Sequence, residues 1–218
     1  MNEREPFVRW DWVAGHLDDI WARTIEHLTL TGIAVGLGFV IAMALAIVAL
    51  RYRRAFAPIS WFTGILYTIP SIALFALLIP VTGLTITTAE VGLVSYTLLI
   101  LVRNIVAGID GVPSSVREAA VAMGYRRWRM FLQIEVPLAL PVIVAGLRIA
   151  TVTTVGLVTV TALIGQGGYG AFINDGLQRF FNTPLIVGAV LSVALAVTLD
   201  VALVLVERAL TPWARRET

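Results

Sequence analysis

Cysteine is absent from the 218-residue chain. That excludes disulfides, thiolate metal sites, iron–sulfur clusters and cysteine nucleophiles. Lysine is absent too, all sixteen basic residues being arginine. Charge of either sign is scarce: charged residues are 14% of the chain and the formal net charge is only +2, so nothing invites nucleic acid. The two histidines, His16 and His27, lie near the N-terminus with no partner at ligand spacing, and they read as surface or interfacial residues. No GxxxxGK[ST] run is present, and the glycines of GQGGYGAFINDGLQRFFNTP (165–184) lack both the Lys-Ser/Thr and the preceding strand of a phosphate loop. That segment reads as a flexible loop or short re-entrant helix. Residues 1–23 carry five acidic residues and three arginines, without the positive start and apolar core of a signal peptide.

Apolar residues dominate instead. They are 58% of the chain, against about 45–50% in soluble domains. The pattern predicts an all-α membrane protein with about five transmembrane helices. Span 1 covers 29–50, with Gly32, Gly36 and Gly38 as a small-residue packing face. Span 2 covers 58–79 and is kinked at Pro70-Ser71. Span 3 covers 91–109 and contains Arg103, which can snorkel toward Asp110. Span 4 covers 138–164, with Arg148 and threonines at 151, 153, 154, 159 and 161. Those hydroxyls either line a path or bond back to their own helix. Span 5 covers 185–206, where fourteen Leu, Ile or Val residues outweigh the single Asp200. Asp200 then needs a protein partner, and Arg103 or Arg148 can supply an intramembrane ion pair. Ahead of the spans, Val13, Leu17, Ile20/Trp21 and Leu28 suggest an interfacial amphipathic helix.

The longest polar interruption is Arg117 to Pro137, REAAVAMGYRRWRMFLQIEVP. Ser115-Val116-Arg117-Glu118 fits a capping box, alanines propagate a short helix, and Gly124 suits its C-terminus. A second amphipathic piece, Arg126 onward, is stopped by Pro137. Five spans place the loop at 51–54, the loop at 110–137 and the tail on one face. That face holds ten arginines: Arg51, Arg53, Arg54, Arg117, Arg126, Arg127, Arg129, Arg208, Arg215 and Arg216. The other holds Arg4, Arg9, Arg23 and Arg179. The excess makes the first face cytoplasmic, leaving the N-terminus outside.

Within the elbow, Glu118-Ala119-Ala120, Gly124, Ile134 and Val136-Pro137 keep the spacing of a known motif. It resembles the EAA loop of binding-protein-dependent ABC importer permeases, departing at Val136, where that pattern has leucine. YTIPSIALFALLIPVTGL (67–84), Arg103-Asn104 and ALIGQGGYGAFINDGL (162–177) resemble the osmoprotectant branch, which serves glycine betaine, choline, carnitine and related quaternary amines. The likeness runs from about residue 28 onward. It implies a type I ABC importer permease-like fold in the bacterial plasma membrane. An extracytoplasmic or interfacial segment (1–23) would precede one permease domain (24–212, coupling loop 110–137) and a cytoplasmic tail (213–218). The chain itself would be no enzyme and would carry no cofactor, with ATP and Mg held by a separate ATPase subunit. Further partners implied are a second permease copy or sister permease and an extracytoplasmic substrate-binding protein. Glu118, Ala119, Ala120, Gly124, Ile134 and Pro137 would form the ATPase-coupling motif. Tyr67, Pro70, Ser71, Thr154 and Thr161 are candidates for the translocation path. The solute implied is an osmoprotectant such as glycine betaine, choline, carnitine or proline; alternatives are an ion-coupled secondary transporter, an importer permease for a different small solute, or a non-transporting membrane scaffold.

Overall fold

The structure, a computed structural model, describes residues 7–213. Arg4, Arg215 and Arg216 of the charge count lie outside the described residues, as do the first six positions of the leader and nearly all of the tail. The described residues are helical, with no strand among them. Four helices are long and apolar enough to cross a membrane: α2 (Leu17–Arg51), α5 (Ile86–Asp110), the continuous stretch Arg127–Ile164 that contains α8 (Val136–Val160), and α10 (Asn182–Leu210). Shorter helices are α1 (Trp10–Gly15), α3 (Arg53–Thr68), α4 (Ser71–Thr82), α6 (Ser114–Ala122), α7 (Arg127–Met130) and α9 (Gly170–Arg179).

α5 is the axis of the bundle and is the most buried of the spans. Its Leu101, Val102, Ile105 and Ile109 pack on Ala42, Ala46 and Ala49 of α2 and on Ala139, Ile143 and Ala150 of α8. Nearer the other end, Ala89 and Leu93 meet Leu30 and Ala34 of α2 and Val158 of α8. Both clusters climb α2 and α5 in the same order, so these two helices run parallel. In lipid the gain comes from close van der Waals packing of small residues. The small face that does this is alanine plus Gly38; Gly32 and Gly36, expected to join it, are exposed. A Cβ on Gly38 would run into the Thr97 side chain of α5.

The kink expected at Pro70 is a break. α3 ends at Thr68, Ile69 is extended (ψ 127°), and α4 leaves at 96° to α3. Proline excludes its predecessor from the α region, so the helix cannot run through Ile69. The freed Ile69 carbonyl accepts a hydrogen bond from the Tyr96 hydroxyl of α5. Because α2 and α5 are parallel, the bent pair α3–α4 has to carry the chain back across. It is the fifth span.

Two further corrections concern the elbow and the leader. Pro137 does not stop the elbow helix: α7 runs through a π turn (Phe131–Glu135) into α8 without a gap. The wider turn before the ring relieves the clash that a proline makes with the carbonyl four residues back. The leader's amphipathic helix is two pieces, α1 and the first turns of α2, hinged at His16. Trp12 stacks on His16 at 4.2 Å and meets Phe172 and Phe181 edge-on, which fastens α1 to the neighbourhood of α9.

Candidate functional site

The chain turns out of α5 through Gly111-Val112-Pro113 and forms an elbow of α6, α7 and the π turn. The expected capping box does not form. Pro113 (φ −57°, ψ 140°) is the N-cap, no side chain caps the helix, and Ser115 already lies inside the first turn. Proline's fixed φ sets the entry angle without needing a donor. The C-terminus follows expectation. Gly124 takes φ +82°, with Gly124 N–H donating to Val121 O (2.9 Å) and Tyr125 N–H to Ala120 O (3.0 Å). This is the Schellman arrangement, and the left-handed residue it needs favours glycine.

One side chain locks the elbow to the spans. Arg117 donates from Nε to Glu135 Oε1 (2.6 Å) and from Nη2 to Ile109 O (2.5 Å). It thereby joins α6 to the last turn of α5 and to the π turn at the root of α8. Beside it, Arg53 of α3 makes a two-pronged pair with Asp110 at 2.7 Å on each arm. Asp110 is therefore occupied, and Arg103, exposed on α5, forms no ion pair with it or with Asp200. The intramembrane pair is Arg148–Asp200, Nε to Oδ1 2.8 Å and Nη2 to Oδ2 3.0 Å, between α8 and α10. Glu207, one face-turn further along α10, lies 3.7 Å from Arg148 Nη1.

The motif residues divide by exposure. Glu118, Ala119 and Gly124 lie on the surface of the elbow, Ala120 is wholly buried beneath it, and Ile134 and Pro137 are half-buried where α8 begins. Exposed Val121 and Met123 extend the same surface with apolar side chains. The sequence had carried a signal for them: α6 turns Val116 and Ala120 inward, so an apolar residue at 121 has to point out. A polar cleft of about 540 Å³ opens alongside, lined by Met123, Gly124, Tyr125, Arg126, Arg129 and Gln133.

The residues proposed from sequence for a translocation path fall in two parts of the chain, around the Pro70 break and along the second half of α8. Tyr67 meets Tyr96 edge-on at 5.9 Å beside the Pro70 break, with Ser71 starting α4. Thr154 and Thr161 are buried and donate to Ala150 O and Val158 O of their own helix, so their hydroxyls are already used. Two polar groups between α2 and α5 have no partner, the Thr31 hydroxyl and the Glu90 carboxylate. Counting two turns back along both parallel helices from the Gly38–Thr97 contact sets these two at one level.

The opposite end of the bundle holds a constellation the sequence did not reveal. His27 is fully buried, not interfacial. Its Nε2 lies 3.1 Å from Val155 O of α8, and its Nδ1 accepts the Tyr169 N–H at 3.3 Å. These two partners describe a neutral ring protonated on Nε2. Glu26 accepts Gly167 N–H (3.0 Å), and the Tyr169 hydroxyl donates to Thr24 Oγ1 at 2.8 Å, whose own proton goes to Ile20 O. Gly168 (φ +48°) packs directly on His27, where a Cβ would fall 2.6 Å from the His27 Cβ. The glycine segment is thus a strapped turn, pinned to α2 by three polar side chains within one turn of it, Thr24, Glu26 and His27. His27's neighbours lie 128 and 142 residues away, beyond any spacing rule.

Comparison with known proteins agrees with this architecture. Residues 28–212 match the family described as binding-protein-dependent transport system inner membrane component. The chain is 36% identical to the glycine betaine/carnitine/choline transport system permease protein OpuCB of Bacillus subtilis, over 87% of this chain and 88% of that one. It is also 36% identical to the osmoprotectant import permease protein OsmW of Salmonella typhimurium, over 91% and 94% respectively. Among solved structures it is similar to the MetNI methionine ABC transporter in inward facing conformations, with a TM-score of 0.76 and 25% identity over 88% of this chain and 96% of that one.

Proposed function

Because the chain belongs to the binding-protein-dependent transport inner membrane component family, we propose that it is the membrane subunit of an ATP-driven importer for an osmoprotectant of the quaternary-amine class. The relatives named for glycine betaine, carnitine and choline support that substrate class. The observation that carries the mechanism is the Arg117 tie, because it gives the elbow a stiff connection to two spans at once.

In this reading the elbow face is cytoplasmic. Among the described residues it holds Arg51, Arg53, Arg54, Arg117, Arg126, Arg127, Arg129 and Arg208, against Arg9, Arg23 and Arg179 at the other end. The N-terminus is then outside and the C-terminus inside. A separate ATPase, holding ATP and Mg, docks on Glu118, Ala119, Val121, Met123 and Gly124. The small side chains there let another backbone approach closely. When the ATPase pair closes, displacement of α6 passes through Arg117 to the end of α5 and to the root of α8. These two helices pack on each other along the core, so they tilt together. A second permease copy or sister permease completes the path. On the outer side the strapped 165–170 turn and α9 present a fixed surface to the substrate-binding protein.

Co-purification of the complex tests the docking surface. Glu118→Lys, on an exposed position, should release the ATPase while leaving the helical content of the subunit unchanged. Orientation is checked by single cysteines, since the chain has none of its own. A cysteine at Val121 should react with a membrane-impermeant maleimide only in inverted vesicles. Labelling from outside intact cells, or solute uptake that persists with residues 114–126 replaced by an unrelated linker, overturns the reading.

A further inference from the structure

A second cleft, of about 500 Å³, lies on the other side of the elbow from the polar one, between the ends of α2, α3 and α5 and the π turn. Four guanidinium groups line it: Arg51, Arg53, Arg117 and Arg127. Two are neutralised, Arg53 by Asp110 and Arg117 by Glu135. Arg51 lies over the Tyr52 ring at 5.4 Å, and neither it nor Arg127 forms an ion pair among the described residues. The cleft therefore carries a surplus of about two positive charges, counting formal charges at neutral pH. Its remaining walls are apolar, with Ile47 and Leu50 on the span side and Trp128 and Phe131 on the elbow side.

Position selects the occupant. Arg51 is the last residue of α2, Arg53 the first of α3, and Ile109 lies one residue from the end of α5. Three span ends at one level mark the boundary between hydrocarbon and headgroups. Ile47 is one turn deeper, on the acyl side. Trp128, 62% exposed, has the amphipathic ring favoured at headgroup depth. None of Glu118, Ala119 or Gly124 lines this cleft, so the surface assigned to the ATPase faces elsewhere. We propose that the cleft binds the phosphodiester headgroup of an anionic phospholipid. Arg51 and Arg127 bind the phosphate, and Ile47 and Leu50 seat the first acyl methylenes. Basic pockets between spans suit such headgroups. The bound lipid cements α2 and α3 to the mobile elbow, so elbow movement is sensitive to the anionic lipid content of the leaflet. The binding site rests on the chain spanning a membrane; the effect on elbow movement rests on the transport reading.

The test uses the delipidated permease–ATPase complex in detergent, with phosphatidylglycerol or phosphatidylcholine added back and retention read by native mass spectrometry. Phosphatidylglycerol should remain bound and phosphatidylcholine should not. Arg51→Gln/Arg127→Gln should lower phosphatidylglycerol retention about tenfold to thirtyfold, the loss for two arginines at a charged surface. Arg51→Lys/Arg127→Lys should restore much of it, which separates lost charge from misfolding. The charge-matched Arg126→Gln/Arg129→Gln, on the other cleft, should retain the lipid. Equal retention by wild type and R51Q/R127Q overturns the proposal. Displacement of the lipid by excess inorganic phosphate also overturns it, in favour of a free-anion site. Loss of the ATPase from R51Q/R127Q with lipid retention unchanged reassigns the cleft to the subunit interface.

Discussion

Replacing Arg117 by alanine should detach the elbow from the spans, and the structure gives the size of the effect. The guanidinium makes two short charge-assisted bonds, one to Glu135 at 2.6 Å and one to the Ile109 carbonyl at 2.5 Å. Breaking a fully buried pair by removing one partner costs about 3–5 kcal/mol, because the remaining charge is stranded. Here the side chains are 29% and 12% exposed, so water reaches part of the pair and the cost is smaller. About 2 kcal/mol is a reasonable figure, which corresponds to about a thirtyfold change in the equilibrium between docked and undocked elbow. The loss should be local, since the core clusters do not include α6. Amide hydrogen exchange across 114–122 should therefore accelerate by that factor while the α5 amides keep their protection. A double-mutant cycle with Glu135→Gln should give a coupling of about 1–2 kcal/mol. In vesicles reconstituted with the proposed ATPase, complexes carrying the variant should still hydrolyse ATP but import less solute per ATP. Additivity of the two substitutions, or unchanged exchange in α6, would refute the tie as the connection between elbow and spans.

Three further outcomes follow from separate contacts. His27→Ala removes the acceptor for Tyr169 N–H and a partner of Val155 O, so hydrogen exchange at 167–169 should rise at least about tenfold, by about 1.4 kcal/mol or more. Gly92→Ala places a Cβ within 2.9 Å of Phe75, a ring only 2% exposed, and should lower thermal stability by about 1–3 kcal/mol, with Phe75→Leu restoring part of it. Arg148→Leu and Asp200→Leu should each reduce folded yield, whereas the double substitution should recover much of it, because each single change strands a close partner within the span and the double leaves only Glu207, three residues from the end of α10.

Features set by composition and local chemistry were legible in the sequence. The spans are where long uncharged runs put them, and Gly124 ends α6 with the left-handed φ its position demanded. Arg148–Asp200 was one of two pairings open to Asp200, and the packing excluded the other, since Arg103 turns outward from α5 while α8 brings Arg148 against α10. Features that depend on what arrives from elsewhere were not legible. Ser115 and Glu118 satisfy a capping pattern, yet the N-cap is Pro113, two residues too early for them to use it. Pro70 signalled a kink, but its angle depends on Tyr96 taking up the freed carbonyl. His27 looked solvent-facing because its two partners come from the far half of the chain.

The π turn at 131–135 has a consequence for how the elbow and the span can change independently. Each residue of an α-helix advances the winding by about 100°, so one surplus residue in a single coil rotates all that follows by about that angle. Excising one position there would restore regular winding and swing the whole downstream rod by roughly a quarter of a circle. Arg148 would then look away from α10, and Ala139 and Ile143 would leave α5. That short stretch is a phase setter: it fixes which way the long rod looks while leaving the knob below free to be shaped for its own neighbour.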